Sequence, residues 1–162
     1  MTNNSTPSGD AQEFQDPLEN YDPKTYSDSL EQALVEQPVS VVQHEPYVAI
    51  PVDMPVCDAL DKLANMHVAC LLVQQDDKLV GIFSDRDVLD RVALEYEQIE
   101  DTPVGDVMTA DPVFVYESQS AAAALSVMAV SGYRHVPVLD SKQRIVGIIS
   151  PQRVTEFLKR HM

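Results

Sequence analysis

The sequence predicts a mixed α+β fold in which two copies of one small unit pack as a pseudo-symmetric pair through their sheets, behind a largely disordered N-terminal tail. Two observations lead to this prediction. From Pro38 onward, residues recur about 65 positions later in the chain. Within each copy, apolar residues follow strand-like and helix-like patterns in the order strand, helix, strand, strand, helix.

The repeat is clearest at the start and near the end of each copy. Pro38-Val39 returns as Pro103-Val104. After one extra residue in the second copy, the segment Leu79–Ser84 returns as Ile145–Ser150. We therefore divide the chain into a tail (1–37), a first repeat (38–94), a linker (95–102) and a second repeat (103–162). Paired units leave clefts between them, and clefts are where small ligands bind.

The tail differs in composition from the rest of the chain. It has one basic residue, Lys24, against eight acidic residues: Asp10, Glu13, Asp16, Glu19, Asp22, Asp28, Glu31 and Glu36. Such a segment buries too little apolar surface to offset the entropy of ordering, so we expect most of it to be a solvated, disordered tail. The alternative is a short helix from Ser27 or Asp28 that docks on the folded part.

The elements of the two repeats follow from periodicity and turn residues. In the first repeat we predict strands and helices over Tyr47–Ile50, Met54–Met66, Val68–Val73, Leu79–Phe83 and Ser84 to about Leu94. In the second repeat we predict them over Val113–Tyr116, Ser120–Val130, His135–Leu139, Ile145–Ile149 and from Ser150 onward.

Composition limits the classes of function. The formal net charge of −15 repels nucleic-acid phosphates and anionic lipid, so we expect neither as a partner. The chain has no apolar run of membrane-spanning length and no signal-peptide pattern, and we expect a soluble, cytoplasmic protein. Cys57 and Cys70 lack metal-ligand spacing and are expected to be small buried hydrophobes.

The sharpest local feature is the segment Gly81–Asp87, which joins a strand to a helix. The Ser84 hydroxyl can donate to a phosphate or sugar oxygen, and Asp87, one turn later, can accept from both hydroxyls of a ribose. The same serine and acid also fit a capping box, in which they satisfy the first N–H groups of the helix. The two roles are compatible. No nucleophile–base constellation, phosphate-binding loop or metal set is found, so we expect no enzyme and no catalytic cofactor.

Taken together, the tandem strand-helix-strand-strand-helix units and the Gly81–Asp87 segment resemble the CBS domain family. Gly81–Asp87 matches that family's ribose-phosphate motif, Gly-hydrophobic-x-Ser/Thr-x-x-Asp, at every fixed position. The resemblance implies a regulatory module that binds an adenosine-containing ligand (AMP, ADP, ATP or S-adenosylmethionine) between the repeats. It also implies a homodimer that acts in trans on an unidentified protein partner. A structural dimerisation or adaptor module with degenerate clefts is the alternative, and a requirement for Mg²⁺ is left open.

The resemblance also implies which residues line the clefts. Those expected in the first cleft are Val68, Ala69, Cys70, Ile82, Ser84, Arg86, Asp87, Met108, Thr109, Asp111, Pro112 and Val113. Those expected in the second cleft are Gln43, Pro46, Val48, Tyr133, Arg134, His135, Ile148, Ser150 and Arg153.

The second repeat departs from the motif, because Arg153 stands where the ribose-binding acid should be. A guanidinium cannot accept from sugar hydroxyls. It can meet a ligand phosphate, or it can form a salt bridge beside an empty cleft, and we favour the salt bridge. Arg134 and His135 can supply the positive charge that a nucleotide needs on so acidic a protein.

Overall fold

The computed structural model of the protein describes residues 24–43 and 47–162, and each repeat forms the predicted order of elements. The first half contains α1 (Ser29–Glu36), β1 (Ala49–Pro51), α2 (Val56–Met66), β2 (Cys70–Gln75), β3 (Lys78–Ser84), α3 (Asp85–Asp87), a π-helical segment (Val88–Val92) and α4 (Tyr96–Ile99). The second half contains β4 (Thr109–Ala110), β5 (Val115–Tyr116), α5 (Ala121–Ser131), β6 (Val136–Leu139), β7 (Ile145–Ile149) and α6 (Pro151–His161).

The strands form two sheets, which confirms the predicted mixed α+β class. One sheet has the order β1-β2-β3-β4 and the other has the order β5-β6-β7. In each, a parallel pair precedes an antiparallel hairpin, as a strand-helix-strand-strand unit requires. The two sheets meet through Cys70, Leu72, Leu139, Ile145 and Ile148, all buried. We call this contact the seam.

Strand β4 comes from the second repeat but extends the sheet of the first. It pairs antiparallel with β3, with Gly81 opposite Ala110 and Ile82 opposite Thr109. The sequence analysis missed β4, because two residues are too few to carry a periodic pattern. Its position brings the start of the second repeat against the Gly81–Asp87 segment.

The segment that opens each repeat packs into the core of the other one. Val39 and Val42 are buried in a cluster with residues of the second repeat, among them Val115 and Phe157. In the same way, Val104 is buried with residues of the first repeat. Bridges between Pro38 and Ser120 and between Pro55 and Pro103 fix the two exchanged segments. Neither core is complete without the other half of the chain.

Helix α1 is the docking helix that the sequence analysis gave as its alternative. Asp28 caps it by accepting from the Glu31 N–H at 2.8 Å, and Ala33 is only 4% exposed against α5 and α6. The Gln37 carbonyl accepts from the Ala121 N–H at 2.8 Å, joining the end of α1 to the start of α5. The favoured prediction of a solvated tail is therefore wrong for residues 29–37. Residues 1–23, which share that prediction, lie outside the described residues.

The helix predicted from Ser84 to about Leu94 is shorter and less regular than expected. One α-helical turn, α3, passes into the π-helical segment, and Leu94 is 96% exposed. The wider turn buries Val92 while Arg91 reaches the backbone carbonyls of Val107 and Met108. Single π turns of this kind are frequent at functional sites.

None of the helices in the described part of the chain combines the length and the apolar character needed to cross a bilayer.

Candidate functional site

Ser84 and Asp87 form the capping box at the junction of β3 and α3. The Ser84 N–H donates to Asp87 Oδ2 at 2.9 Å, and the Ser84 hydroxyl donates to the same oxygen at 2.7 Å. Asp87 is only 4% exposed, although it is charged. A buried carboxylate of this kind is stable only where donors surround it. The capping role considered in the sequence analysis is therefore present in the structure.

The other oxygen of Asp87 faces the second repeat. Thr109 in β4 donates its hydroxyl to Asp87 Oδ1 at 2.7 Å, and the Arg91 guanidinium lies 3.7 Å from the same oxygen. Arg91 also donates to the carbonyls of Val107, at 3.2 Å, and of Met108. Asp87 and Arg91 thus tie the end of the first repeat to the start of the second.

A cleft of about 420 Å³ opens beside this network. It lies within the range of about 300 to 1,000 Å³ that is typical of small-molecule sites. Its lining residues come from both repeats: Ala69, Cys70, Ile82, Ser84, Asp85, Arg86, Asp87, Leu89, Asp90, Thr109, Pro112, Val113, Gly132, Tyr133, Arg134 and His135. The structure therefore brings together nine of the residues expected in the first cleft: Ala69, Cys70, Ile82, Ser84, Arg86, Asp87, Thr109, Pro112 and Val113.

Three residues expected in the first cleft do not line it. Val68 packs against the core of the first repeat. Met108 lies over Gly81, where a side chain on residue 81 would overlap the Met108 sulfur and force the Met108 side chain to move. Asp111 has a positive φ of 48° and lines a smaller cavity of about 220 Å³ nearby. These three residues are next to cleft residues in the sequence, but that neighbourhood does not decide which way a side chain points.

Tyr133, Arg134 and His135 were expected in the second cleft, and the structure places them in the wall of the first. They precede β6, which packs against the first repeat's sheet at the seam. The sequence analysis assigned this segment to the cleft of its own repeat, whereas the segment lies at the seam and lines the cleft beside Ser84. The cleft that holds Ser84 and Asp87 is therefore lined by the guanidinium group of Arg134 as well as that of Arg86.

Two cleft residues have shifted pKa values. Burial raises the pKa of the Cys70 thiol to about 12, with the charges of Asp85 and Asp87 adding to the effect, so the thiol is neutral and acts as an apolar wall. Burial lowers the pKa of His135, and the Arg134 charge lowers it further, while Asp85 opposes the shift. His135 is therefore neutral near pH 7.

The second cleft is described only in part, because Pro46 lies outside the described residues. Gln43 packs over Gly147, with its Cδ 3.0 Å from the position of a Cβ there, as Met108 does over Gly81. Ile148 is buried at the seam, and Val48 is partly buried against the core of the first repeat.

Arg153 forms the salt bridge that the sequence analysis favoured. Its Nη1 lies 3.1 Å from the Glu156 carboxylate, and its N–H donates to the capping hydroxyl of Ser150 at 3.5 Å. A phosphate contact by Arg153 stays a prediction.

Sequence reasoning missed four residues of the cleft wall and one residue behind it. Those in the wall are Asp85, Leu89, Asp90 and Gly132. Leu89 and Asp90 stand three and four residues after Arg86, and that helical spacing is the signal that could have found them. Arg91 stands four residues after Asp87, and the same helical spacing could have indicated its ion pair with that carboxylate. Its contacts with the Val107 and Met108 carbonyls, which are distant in sequence, had no such signal.

Comparison with known proteins identifies the class of this chain. The model of the CBS domain family matches it twice, over residues 39–94 and 104–160. The chain therefore belongs to the CBS domain family and contains two tandem CBS domains.

Among curated relatives, the CBS domain-containing protein CBSCBSPB1 of Arabidopsis thaliana is 33% identical over 99 residues, which is 60% of this chain and 18% of that protein. Among solved structures, the CBS domain protein NE2398 is 28% identical with a TM-score of 0.66, covering 74% of this chain and 95% of its own. CBSX2, solved in complex with AMP, is 25% identical with a TM-score of 0.67, covering 76% of this chain and 97% of its own.

Proposed function

We propose that this protein is a regulatory CBS pair that binds an adenosine-containing ligand in the cleft beside Ser84 and Asp87. The observation that carries the proposal is the open 420 Å³ cleft at the seam, with Ser84 and Asp87 on one wall and Arg134 on the other. The AMP complex of CBSX2, a structural neighbour, supports this ligand class.

Each part of such a ligand has chemical partners in the cleft. Asp87 accepts hydrogen bonds and so suits the hydroxyls of a ribose. The apolar walls suit a purine ring, which gains from the loss of water around its faces; they are formed by Ala69, Cys70, Ile82, Pro112 and Val113. Arg86 and Arg134 can pair with a phosphate or carboxylate. Which of AMP, ADP, ATP and S-adenosylmethionine binds, and whether Mg²⁺ accompanies it, is for the experiment to decide.

The regulatory part of the proposal rests on the position of the cleft between two repeats. A ligand that contacts both walls stabilises one relative arrangement of the repeats. A protein partner that distinguishes the arrangements would then be coupled to the ligand by the same free energy. We infer that the chain works as a homodimer, and exposed apolar side chains on its helices support this, among them Leu89 (73% exposed) and Val130 (88%).

The test is a thermal-shift series with AMP, ADP, ATP and S-adenosylmethionine, each with and without Mg²⁺, followed by calorimetry of the Asp87→Ala variant. Bound ligand raises the melting temperature with the logarithm of its concentration. We expect Asp87→Ala to weaken binding by roughly tenfold or more, since hydrogen bonds to charged groups contribute about 1.5 to 3 kcal/mol. Loss of the cap should cost about 1 kcal/mol of stability.

Arg153→Ala is the matched control, because Arg153 occupies the equivalent position of the second repeat. It should leave affinity for the first cleft unchanged. Equal affinity of Asp87→Ala and the unmodified protein would remove Asp87 from the site.

The second candidate is a dimerisation or adaptor module with a degenerate cleft. The hydrogen bonds of Asp87 with Ser84 and Thr109 favour this candidate, because they give the buried acid a structural role without any ligand. Absence of a thermal shift with all four adenosine compounds at millimolar concentration would decide for this candidate.

A further inference from the structure

Both oxygens of the Asp87 carboxylate already carry hydrogen bonds. An ionised carboxylate offers about four acceptor positions, two on each oxygen. Ser84 fills both positions of Oδ2, through its N–H at 2.9 Å and its hydroxyl at 2.7 Å. Thr109 fills one position of Oδ1 at 2.7 Å. One position remains, on Oδ1, with the Arg91 guanidinium 3.7 Å from that oxygen.

A ribose presents two hydroxyls and needs two acceptor positions to be held by one carboxylate. Asp87 as it stands has room for one of them. A complete ribose contact therefore requires Ser84 or Thr109 to release its bond.

Thr109 is the donor that is easier to release. The Ser84 hydroxyl belongs to the capping box, where it also accepts from the Asp87 N–H, so it is held at two points in one turn. The Thr109 hydroxyl makes its hydrogen bond to Asp87 alone among the contacts of the described residues. Thr109 also stands on β4, a strand of two residues at the edge of its sheet.

We propose that the Thr109–Asp87 hydrogen bond is a latch between the two repeats, which an incoming ribose replaces. The proposal rests on the proposed function, since it assigns Asp87 to a sugar. Ligand binding then removes one bond that ties β4 to the first repeat, so occupancy of the cleft changes how firmly the repeats are joined. While the Thr109–Asp87 hydrogen bond is formed, it opposes ligand binding. Thr109 therefore limits both the affinity for the ligand and the preference for ribose over deoxyribose.

Thr109→Val tests the latch, because valine has nearly the same shape without the hydroxyl. Calorimetry should show AMP binding at least threefold more tightly than to the unmodified protein, since binding no longer breaks a bond. The preference for AMP over 2′-deoxyadenosine monophosphate should also widen at least threefold, because two acceptor positions become available. Thr109→Ser, which keeps a donor, should behave as the unmodified protein does.

Thr102→Val is the matched control, because the Thr102 hydroxyl donates to the Ile99 carbonyl at 2.8 Å outside the cleft. It should change neither quantity, and melting curves of all three variants verify folding. If Thr109→Val binds AMP no more tightly than the unmodified protein and shows no greater preference for AMP over 2′-deoxyadenosine monophosphate, the latch is overturned. The proposed function is then left standing, because AMP still binds. If none of these proteins binds AMP, ADP, ATP or S-adenosylmethionine, both the latch and the proposed function are overturned, whereas AMP binding by Thr109→Val alone supports both.

Discussion

At the scale of single residues, Asp87 shows that a stabilising contact and a ligand contact can use the same atoms. Its carboxylate closes a helix turn through Ser84 and accepts a hydrogen bond from Thr109 at the start of the second repeat. A carboxylate with this many donors has its hydrogen bonds satisfied without a ligand. The ligand therefore has to compete with the protein's own groups, and affinity depends on how weakly the last of them is held.

His135 gives a prediction about pH. Burial lowers its pKa in the folded state below the value of about 6.5 in an unfolded chain. The unfolded state therefore binds more protons between these two values, so this contribution to stability is complete above about pH 6.5 and is lost as pH falls toward the folded pKa. His135→Gln should flatten the dependence of the urea midpoint on pH below 6.5. An unchanged slope in that variant would show that His135 does not contribute to it.

At the scale of elements, the turn between β2 and β3 has backbone strain that a glycine substitution should relieve. Asp76 and Asp77 have φ values of 50° and 60°, in the left-handed region. A two-residue hairpin turn of this type favours glycine, since other residues pay about 1 to 2 kcal/mol there.

Asp77→Gly should raise the free energy of unfolding by about 0.5 to 1 kcal/mol, the relieved strain minus the backbone entropy of glycine. Urea denaturation measures the change. Asp77→Ala removes the same charge but keeps the strain and should not stabilise. If both variants gain equally, charge rather than backbone conformation is responsible.

The order of the elements could be predicted from sequence, because the apolar residues of each strand or helix recur at the spacing that places them in the core. Examples are the buried strand β2 and the amphipathic helix α2, whose observed bounds differ from the predicted ones by only a few residues. The partner of each segment could not be predicted in this way. Periodicity shows that Val39 and Val104 face a core, but not that each faces the core of the other repeat.

For the candidate site too, the local motif could be predicted from sequence, but the partners that are distant in sequence could not. Ser84 and Asp87 were found through a local motif and Thr109 through the resemblance to the CBS domain family, and the structure brings the three into contact. Arg134 and His135 were expected to supply positive charge in the second cleft. They line the first cleft instead, and His135 is neutral near pH 7 because burial lowers its pKa. Their position depends on how two sheets pack at the seam, which is a long-range property that spacing along one chain does not encode.

At the scale of the whole molecule, the acidic N-terminal segment contributes a helix to the folded part of the chain. Ser29–Glu36 forms α1, whose Ala33 is buried and whose Leu30 and Leu34 pack against the second core. The Ser29 hydroxyl donates to the His161 carbonyl at the end of α6. The Gln37 carbonyl, which follows α1, accepts from the Ala121 N–H at the start of α5. We therefore expect α1 to contribute to stability.

Truncation tests this expectation. A chain that starts at Pro38 should lose about 2 kcal/mol or more of unfolding free energy, because it exposes the apolar surface under α1. A chain that starts at Lys24 retains α1 and serves as the control. Its urea midpoint should match that of the full sequence. Equal stability of all three chains would show that α1 adds nothing to the folded state.

The exchange of opening segments makes the two repeats mutually dependent. Residues around Val39 complete the second half, and residues around Val104 complete the first. Cutting the backbone inside the linker would therefore yield two fragments that each lack a piece of their own interior. Such fragments should fold together by complementation, and separate expression should leave each one poorly folded.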